Sequence, residues 1–436
     1  MAWFFGKKQQ EPELVEPPLH FVRHGAPIPQ LNPFLYVHAR MIVLNALGAR
    51  ADVVRVTFTG QKAQVQYQID GVYHNREVLD GQTGGGIVAI YKIFAGFDLK
   101  QRVPFQEGEF EVQHLNNRIP CRVEDQLVKG AEIISLHLDT GKPRPHKLTD
   151  MGLAEDQVEK IKQAMEEPGV VLVTAPPHLG YSTVFNAVVR VIDRYMRDVV
   201  MVQSVKDREE EVENAPPTTF DPDKEETPAT VIPQLLLRYP NVVCVRKVAD
   251  KETMSLLLEQ PEKERLVVMG LLARDDTEAI YRALALCEEP EKLLGQLKVV
   301  VGHRVLRKLC ELCKTPYPPP PQLLQQLGIP QGKIKAFFKP GPPRLPPEEI
   351  ERMQKEGIPI ICPQCQGIGY LGQTGLFEVL FLNDQLRQLF LKPTQDLDAV
   401  RQALRKLGHR TPLDEGILLA AKGITAIQEV SRVLKV

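Results

Sequence analysis

Four cysteines specify a chemistry more directly than any other residues in this chain. Cys310 and Cys313, then Cys362 and Cys365, form two C-x-x-C pairs, which can close a tetrahedral thiolate site of the structural zinc kind. The spacer between them, 314–361, is 48 residues long and carries the densest proline run, Pro316 to Pro347. A long spacer is tolerable because the entropy of loop closure grows slowly with length, and the glycines of CPQCQGIGYLG suit a tight knuckle. The alternative is two reduced thiol pairs without metal. The total of seven cysteines is odd, and C-x-x-C pairing in a reducing compartment favours metal over disulfides. Cys121, Cys244 and Cys287 read as ordinary core thiols.

The second stretch with chemical content is TAPPHLGYST at 174–183, which leads from an apolar run into a helix. Helix amino termini at that position of an α/β fold offer free N–H groups and a favourable dipole to phosphate. A phosphate loop needs small residues, a lysine for the outer phosphates and a hydroxyl for magnesium. Gly180, Ser182 and Thr183 meet part of that requirement, but Tyr181 stands where the lysine belongs. Pro177 removes an N–H, and His178 and Leu179 add side chains where bare backbone should meet the ligand. Losing one charged hydrogen bond costs about 1.5–3 kcal/mol. Gly180, Tyr181, Ser182 and Thr183 thus form a degenerate loop in which ATP or ADP binding is doubtful. The histidines, among them His74, His114, His137, His146, His303 and His409, are scattered and form no ligand cluster.

These segments need a scaffold. Short Val/Leu runs at 170–174, 199–203, 242–245 and 266–270 alternate with amphipathic stretches, the pattern of a parallel sheet covered on both faces. The fold class is α/β: a doubly wound domain preceded by a smaller α+β domain, with a four-cysteine insertion and a helical carboxy-terminal region. The expected boundaries are 1–35, a poorly ordered arm; 36–147, α+β; 148–309, the doubly wound core; 310–366, the cysteine segment; and 367–436, helical. In the second of these, Val65, Tyr67 and Ile69 alternate with Gln64, Gln66 and Gln68, as in a half-buried strand, and a helix is expected over 86–97. HRVLRKL at 303–309 reads as a basic helix face, too small a footprint for nucleic acid. A net charge of -1 with pI near 6.8 gives no global attraction to nucleic acid or anionic lipid. The amino terminus has no apolar core of signal-peptide length, and no stretch reaches the roughly 18 apolar residues of a membrane helix. A cytoplasmic location, peripheral to the inner membrane at most, is expected.

The order of three segments, VGHRVLRKLCELC, CPQCQGIGYLGQTGLFEVL and GITAIQEVSRVL, resembles the type II secretion and type IV pilus assembly ATPases (secretion protein E class) from about 45 to 436. YQIDGVYHNR and KQRVPFQEGEFEV look like that family's PAS-like amino-terminal domain. The resemblance implies a RecA-like P-loop core with a Walker A lysine at Tyr181. It implies an acidic pair at Gln203 and Ser204, a glycine and glutamate at Arg246 and Lys247, a histidine at Leu272, and two arginines at Gln66 and Gln68. Phosphoryl transfer depends on positioned compensating charge, so the combined losses imply a pseudoenzyme with no catalytic residues. Arg246 and Lys247 read as solvated surface cations, or else as a rebuilt anion site or partners of the acidic run DREEEVE at 207–213. The resulting expectation is an inactive, structural or regulatory subunit of a secretion or pilus machine, partnered by an active paralogue or by inner-membrane platform proteins, in a homo- or hetero-oligomer. The rivals are a working ATPase that uses Lys247, and a zinc-dependent adaptor.

Overall fold

The computed structural model describes residues 18–435 except 24, 26, 143, 144, 178, 208, 209 and 393–395. His178 therefore lies outside the described residues. The chain separates into two compact units, Met1–Pro143 and Arg144–Val436.

In the first unit the elements are β1 (Leu19–Val22), α1 (Pro33–Gly48), β2 (Val53–Phe58), β3 (Lys62–Ile69), β4 (Val72–Asp80), α2 (Gly81–Ala95), β5 (Phe105–His114), β6 (Asn117–Val128) and β7 (Ala131–Leu138). The strands form one sheet in the order β1-β5-β6-β7-β2-β3-β4. Val65, Tyr67 and Ile69 face the core as their alternation requires. Two expectations are corrected. The stretch expected to be a poorly ordered arm contains β1, because Leu19 and Phe21 alternate with polar neighbours and bury completely or nearly so against β5. The expected helix begins at Gly81 rather than 86, under an Asp80 cap that accepts from the N–H groups of Gln82 and Thr83. The triple glycine at 84–86 lies within this helix and allows close packing: a β-carbon on Gly84 would lie 2.3 Å from that of Ala63 on β3.

The second unit contains α3 (Glu155–Ala164), β8 (Gly169–Ala175), α4 (Tyr181–Val189), β9 (Val199–Ser204), β10 (Pro217–Phe220), α5 (Pro228–Leu236), β11 (Val242–Val245), α6 (Lys251–Leu258), β12 (Leu266–Leu272), α7 (Asp276–Leu286), α8 (Pro290–Gln296) and β13 (Leu297–Leu309). There follow β14 (Lys314–Tyr317), α9 (Pro321–Gln326), β15 (Phe337–Pro340), α10 (Pro347–Lys355), β16 (Tyr370–Phe381), α11 (Asp384–Phe390), α12 (Leu397–Lys406), α13 (Pro412–Ala421) and α14 (Ile427–Leu434). A sheet in the order β10-β9-β11-β12-β8-β13-β16 runs through the unit, parallel except for the antiparallel pair β13–β16. Apolar clusters fill both of its faces, as the continuous Val/Leu runs demand.

The sequence 303–309 is not a helix. It is the second half of β13, a thirteen-residue strand with neighbours on both sides. Its two arginines are absorbed while Lys308 stays exposed: Arg304 donates to the carbonyl of Arg274, and Arg307 meets the buried carboxylate of Glu429 on α14 at 2.7 Å and stacks over Tyr370. The expected helical terminal region holds α11 to α14, but it opens with β16, which completes the sheet.

Candidate functional site

The loop from β8 to α4 lies at the carboxyl end of the sheet. Gly180 caps α4 with φ +85°, and the first helical residue is Tyr181. Its ring is 5% exposed and points into the core, where the phenol donates to the carbonyl of Arg246 at the end of β11. A β-carbon on Gly270 would overlap this hydroxyl, so the glycine in β12 is what admits the ring. The loop spends its own donors as well: the N–H of Leu179 turns back to the carbonyl of Pro176, and Pro176 and Pro177 have none. Ser182 and Thr183 are half-buried.

Arg246, one of the two residues read as surface cations, is 1% exposed. Its guanidinium donates to Gln203 Oε1 at 3.1 Å and Asn186 Oδ1 at 2.8 Å and lies over Phe185. Gln203 thus turns its amide to the arginine, while Ser204 receives a hydrogen bond from Lys206 N–H. Lys247 remains half-exposed and pairs with Asp207 at 2.5 Å, the first residue of the acidic run. Leu272 closes β12, half-buried. In the other unit, Gln66 and Gln68 sit half-buried on β3, and Gln66 bonds Asn75. The structure therefore gathers Tyr181, Gln203 and Arg246 into one buried network, with Asn186 as a member that sequence reasoning missed. Asn186 carries no local signal, being one of several polar residues on α4 and buried only by its distant partners.

Next to the loop, β13 contributes His303, which is buried against Phe377 and lies under Gly180. Burial lowers its pKa to about 3, so it is neutral at physiological pH. Beyond it, Asp276 at the start of α7 is fully buried over Gly302, and its N–H donates to Glu378 Oε2 at 3.0 Å. Burial and the mutual proximity of the acids push Asp276 far above the carboxylate range, and burial raises Glu378 to about 7. The charged groups around the pair are Asp275, which pairs with Arg401, and Arg304, which donates to the carbonyl of Arg274. A lone Glu inside the apolar strand GLFEVLF was the available sequence signal. A carboxyl group whose folded-state pKa is raised adds stability below its unfolded pKa, roughly 3.9 for Asp, and loses it as pH rises through the folded value. Asp276→Asn is expected to flatten this dependence, so that in urea titrations the advantage of the variant over the parent chain grows from pH 5 to pH 8.

The four cysteines converge. Cys310, Cys313, Cys362 and Cys365 are all buried, with their four sulfurs within 4.8 Å of one another. The Cys310–Cys362 and Cys313–Cys365 sulfur pairs are 3.7 and 3.5 Å apart, close to the roughly 3.8 Å edge of a tetrahedron with metal–sulfur bonds of about 2.3 Å. The Cys310 N–H donates to the Gly369 carbonyl, and the Gly369 N–H donates to Cys365 Sγ at 3.2 Å, bonds that orient the ligands. Cys310 follows directly from β13 and Cys362–Cys365 shortly precede β16, so the sheet itself holds both ends. The group could hold a metal ion. Cys121 and Cys244 are buried core thiols, as read, and Cys287 is half-buried.

Among the described residues no helix is long and apolar enough to cross a membrane. A family model described as "Type II/IV secretion system protein" matches residues 32–432. The chain is 24% identical over 436 residues to the "Type IV pilus assembly ATPase PilB" of Thermus thermophilus, covering 98% of this chain and 45% of that protein. It is 26% identical to the "Type II secretion system protein E" of Pectobacterium carotovorum, covering 90% of this chain and 74% of that one. Among solved structures, the Legionella pneumophila ATPase DotB superposes with a TM-score of 0.58 at 16% identity, covering 95% of this chain and 98% of that one. The fold is accordingly the α/β fold of such ATPases.

Proposed function

Because the chain belongs to the Type II/IV secretion system protein family, we propose that it is a non-hydrolysing member serving as a structural or regulatory subunit of a bacterial secretion or pilus-assembly machine. The observation that carries this reading is the direction of Tyr181. The residue in the lysine position is buried and bonded to the protein's own main chain, next to an arginine that engages Asn186 and Gln203, the latter standing in one of the family's acidic positions. A site that relies on charge aimed at phosphates is here turned inward. Lys247, the cation on which a displaced mechanism would depend, is engaged by Asp207.

On this reading the chain comprises a PAS-like domain over 36–147, a RecA-like core over 148–309 that β16 completes, a segment over 310–366 whose four cysteines hold structural zinc, and the terminal helices α11 to α14. Its setting is the cytoplasmic face of the inner membrane, and its partners are an active paralogue or platform proteins. The purified chain is expected to release phosphate from Mg-ATP no faster than a Tyr181→Ala, Lys247→Ala double variant, and to give no calorimetric signal with ATP or ADP at millimolar concentration. Hydrolysis that Lys247→Ala abolishes would overturn the proposal in favour of a working motor.

A further inference from the structure

The four most exposed large apolar side chains among the described residues are Tyr195 (74%), Met196 (82%), Leu237 (76%) and Tyr239 (82%). They fall on only two turns, one leading into β9 and the other into β11. The turns are stitched together: the Asp198 N–H donates to Asn241 Oδ1 at 2.9 Å, and the N–H groups of Asn241 and Val242 donate to the Asp198 carbonyl. Both turns lie at the amino ends of parallel strands, the opposite end of the sheet from the Tyr181 loop. Tyr239 is held at φ +55°, a left-handed conformation uncommon for a bulky residue and usually retained where the surroundings or the function require it. Single exposed apolar residues are ordinary, but a contiguous group is a mark of an interaction surface.

Beside these turns runs a groove of about 460 Å³, lined by Arg194, Tyr195, Asp198, Val200, Thr218 and Arg238 among others. It lies at the amino end of β9 and reaches Thr218 on the edge strand. β10 is the terminal strand, and its ladder with β9 begins at Pro217–Met201, leaving Val199 and Val200 beyond its end. The groove is cationic on two sides. Arg194 donates to the main-chain carbonyls of Glu213, Val189 and Ile192, neutral acceptors that leave its charge in place. Arg238 is largely exposed and lies 3.6 Å from Asp198. An open strand edge offers main-chain hydrogen bonds to an added strand, and apolar side chains alongside can receive its alternate residues.

We propose that this groove docks an extended segment of another protein. The segment lies along the β10 edge with apolar side chains against Tyr195, Met196, Leu237 and Tyr239 and a carboxylate facing Arg194 and Arg238. A membrane surface fits less well, since Asp198 and Glu213 stand among the arginines and lipid-binding faces are dominated by bases. The inference does not depend on whether nucleotide is hydrolysed.

The test uses the full chain, expressed in its own cells with the photo-crosslinking residue p-benzoylphenylalanine at position 195 or, separately, 239. The crosslinked peptide is then sequenced. The expected product joins this surface to a segment of another protein that contains apolar residues and at least one Asp or Glu, with its yield reduced about tenfold by charge reversal. Arg194→Glu tests the half-buried cation. Arg238→Glu, on an exposed side chain, keeps the test valid should the first variant unfold. Crosslinks to a second copy of the chain, to lipid alone or to a segment without acidic residues overturn the proposal. So does an absence of crosslinks, or a yield indifferent to both arginine reversals.

Discussion

Removing metal from the four-cysteine site is expected to be the most damaging single perturbation of this protein. The purified chain should contain one zinc per molecule by elemental analysis, and a strong chelator should release it together with the fold of residues 310–369. Four buried sulfurs within 4.8 Å of one another mean that, without a cation, any thiolate formed there is both desolvated and repelled by its neighbours. Burial accordingly raises the pKa of Cys310 and Cys313, whereas that of Cys362, where hydrogen bonds from its neighbours outweigh burial, is lowered to about 7. Structural zinc contributes roughly 10–16 kcal/mol of apparent free energy in finger peptides, an upper scale for this site. Cys310→Ser or Cys362→Ser should therefore lower stability far beyond the roughly 1 kcal/mol of an average substitution. Cys287→Ser, on a thiol outside the cluster, should leave zinc content unchanged. A parent chain with well below one zinc per molecule and unchanged protease resistance after chelation would refute this expectation.

The second large effect concerns Glu429. Its carboxylate accepts from the main chain and guanidinium of Arg307 and from Arg432, while remaining about 1% exposed. Burial alone would raise its pKa, but the two arginines outweigh that and hold it near 2. A carboxylate depressed in this way adds stability above its unfolded pKa and loses it as pH falls from roughly 4.3 towards 2. Glu429→Ala leaves Arg307, itself 9% exposed, as a buried cation without its anion, at a cost of about 3–5 kcal/mol. The expected result is a large drop in the urea midpoint at pH 7 that shrinks severalfold at pH 2.5, where the unfolded chain's carboxyl is protonated and most of the pH-linked stabilisation is gone. Glu429→Gln should fall between the two. Equal losses at both pH values would show that the effect is one of packing rather than charge.

Much of the scaffold was legible because continuous Val/Leu runs have few alternatives to a doubly covered parallel sheet. The cysteine spacing likewise named the residues that converge. What escaped was decided by neighbours distant in sequence. Val305, Leu306 and Leu309 have helical spacing, yet pairing with β16, some 60 residues on, makes the segment a strand. Arg246 looked like a solvated cation because the amides that bury it lie 43 and 60 residues away. Tyr181 was visibly not a lysine, but its inward course requires Gly270, which no local reading connects to it. The Asp276–Glu378 pair joins residues 102 apart, and neither looks unusual until both are buried.

The place of β13 in the sheet also bears on the order in which the protein is made. One of its neighbours, β8, precedes it in the chain, but the other, β16, begins only at Tyr370. The intervening residues, 310–369, leave the ribosome at about 5–20 residues per second, so for roughly 3–12 s a nascent β13 carries an exposed edge that includes Val299, Val300 and Val301. Cys362 and Cys365 emerge just before the strand that covers this edge. Metal capture by the second cysteine pair would then bring β16 into register as it appears, and the interval in which the chain is vulnerable to aggregation would depend on the supply of metal in the cell.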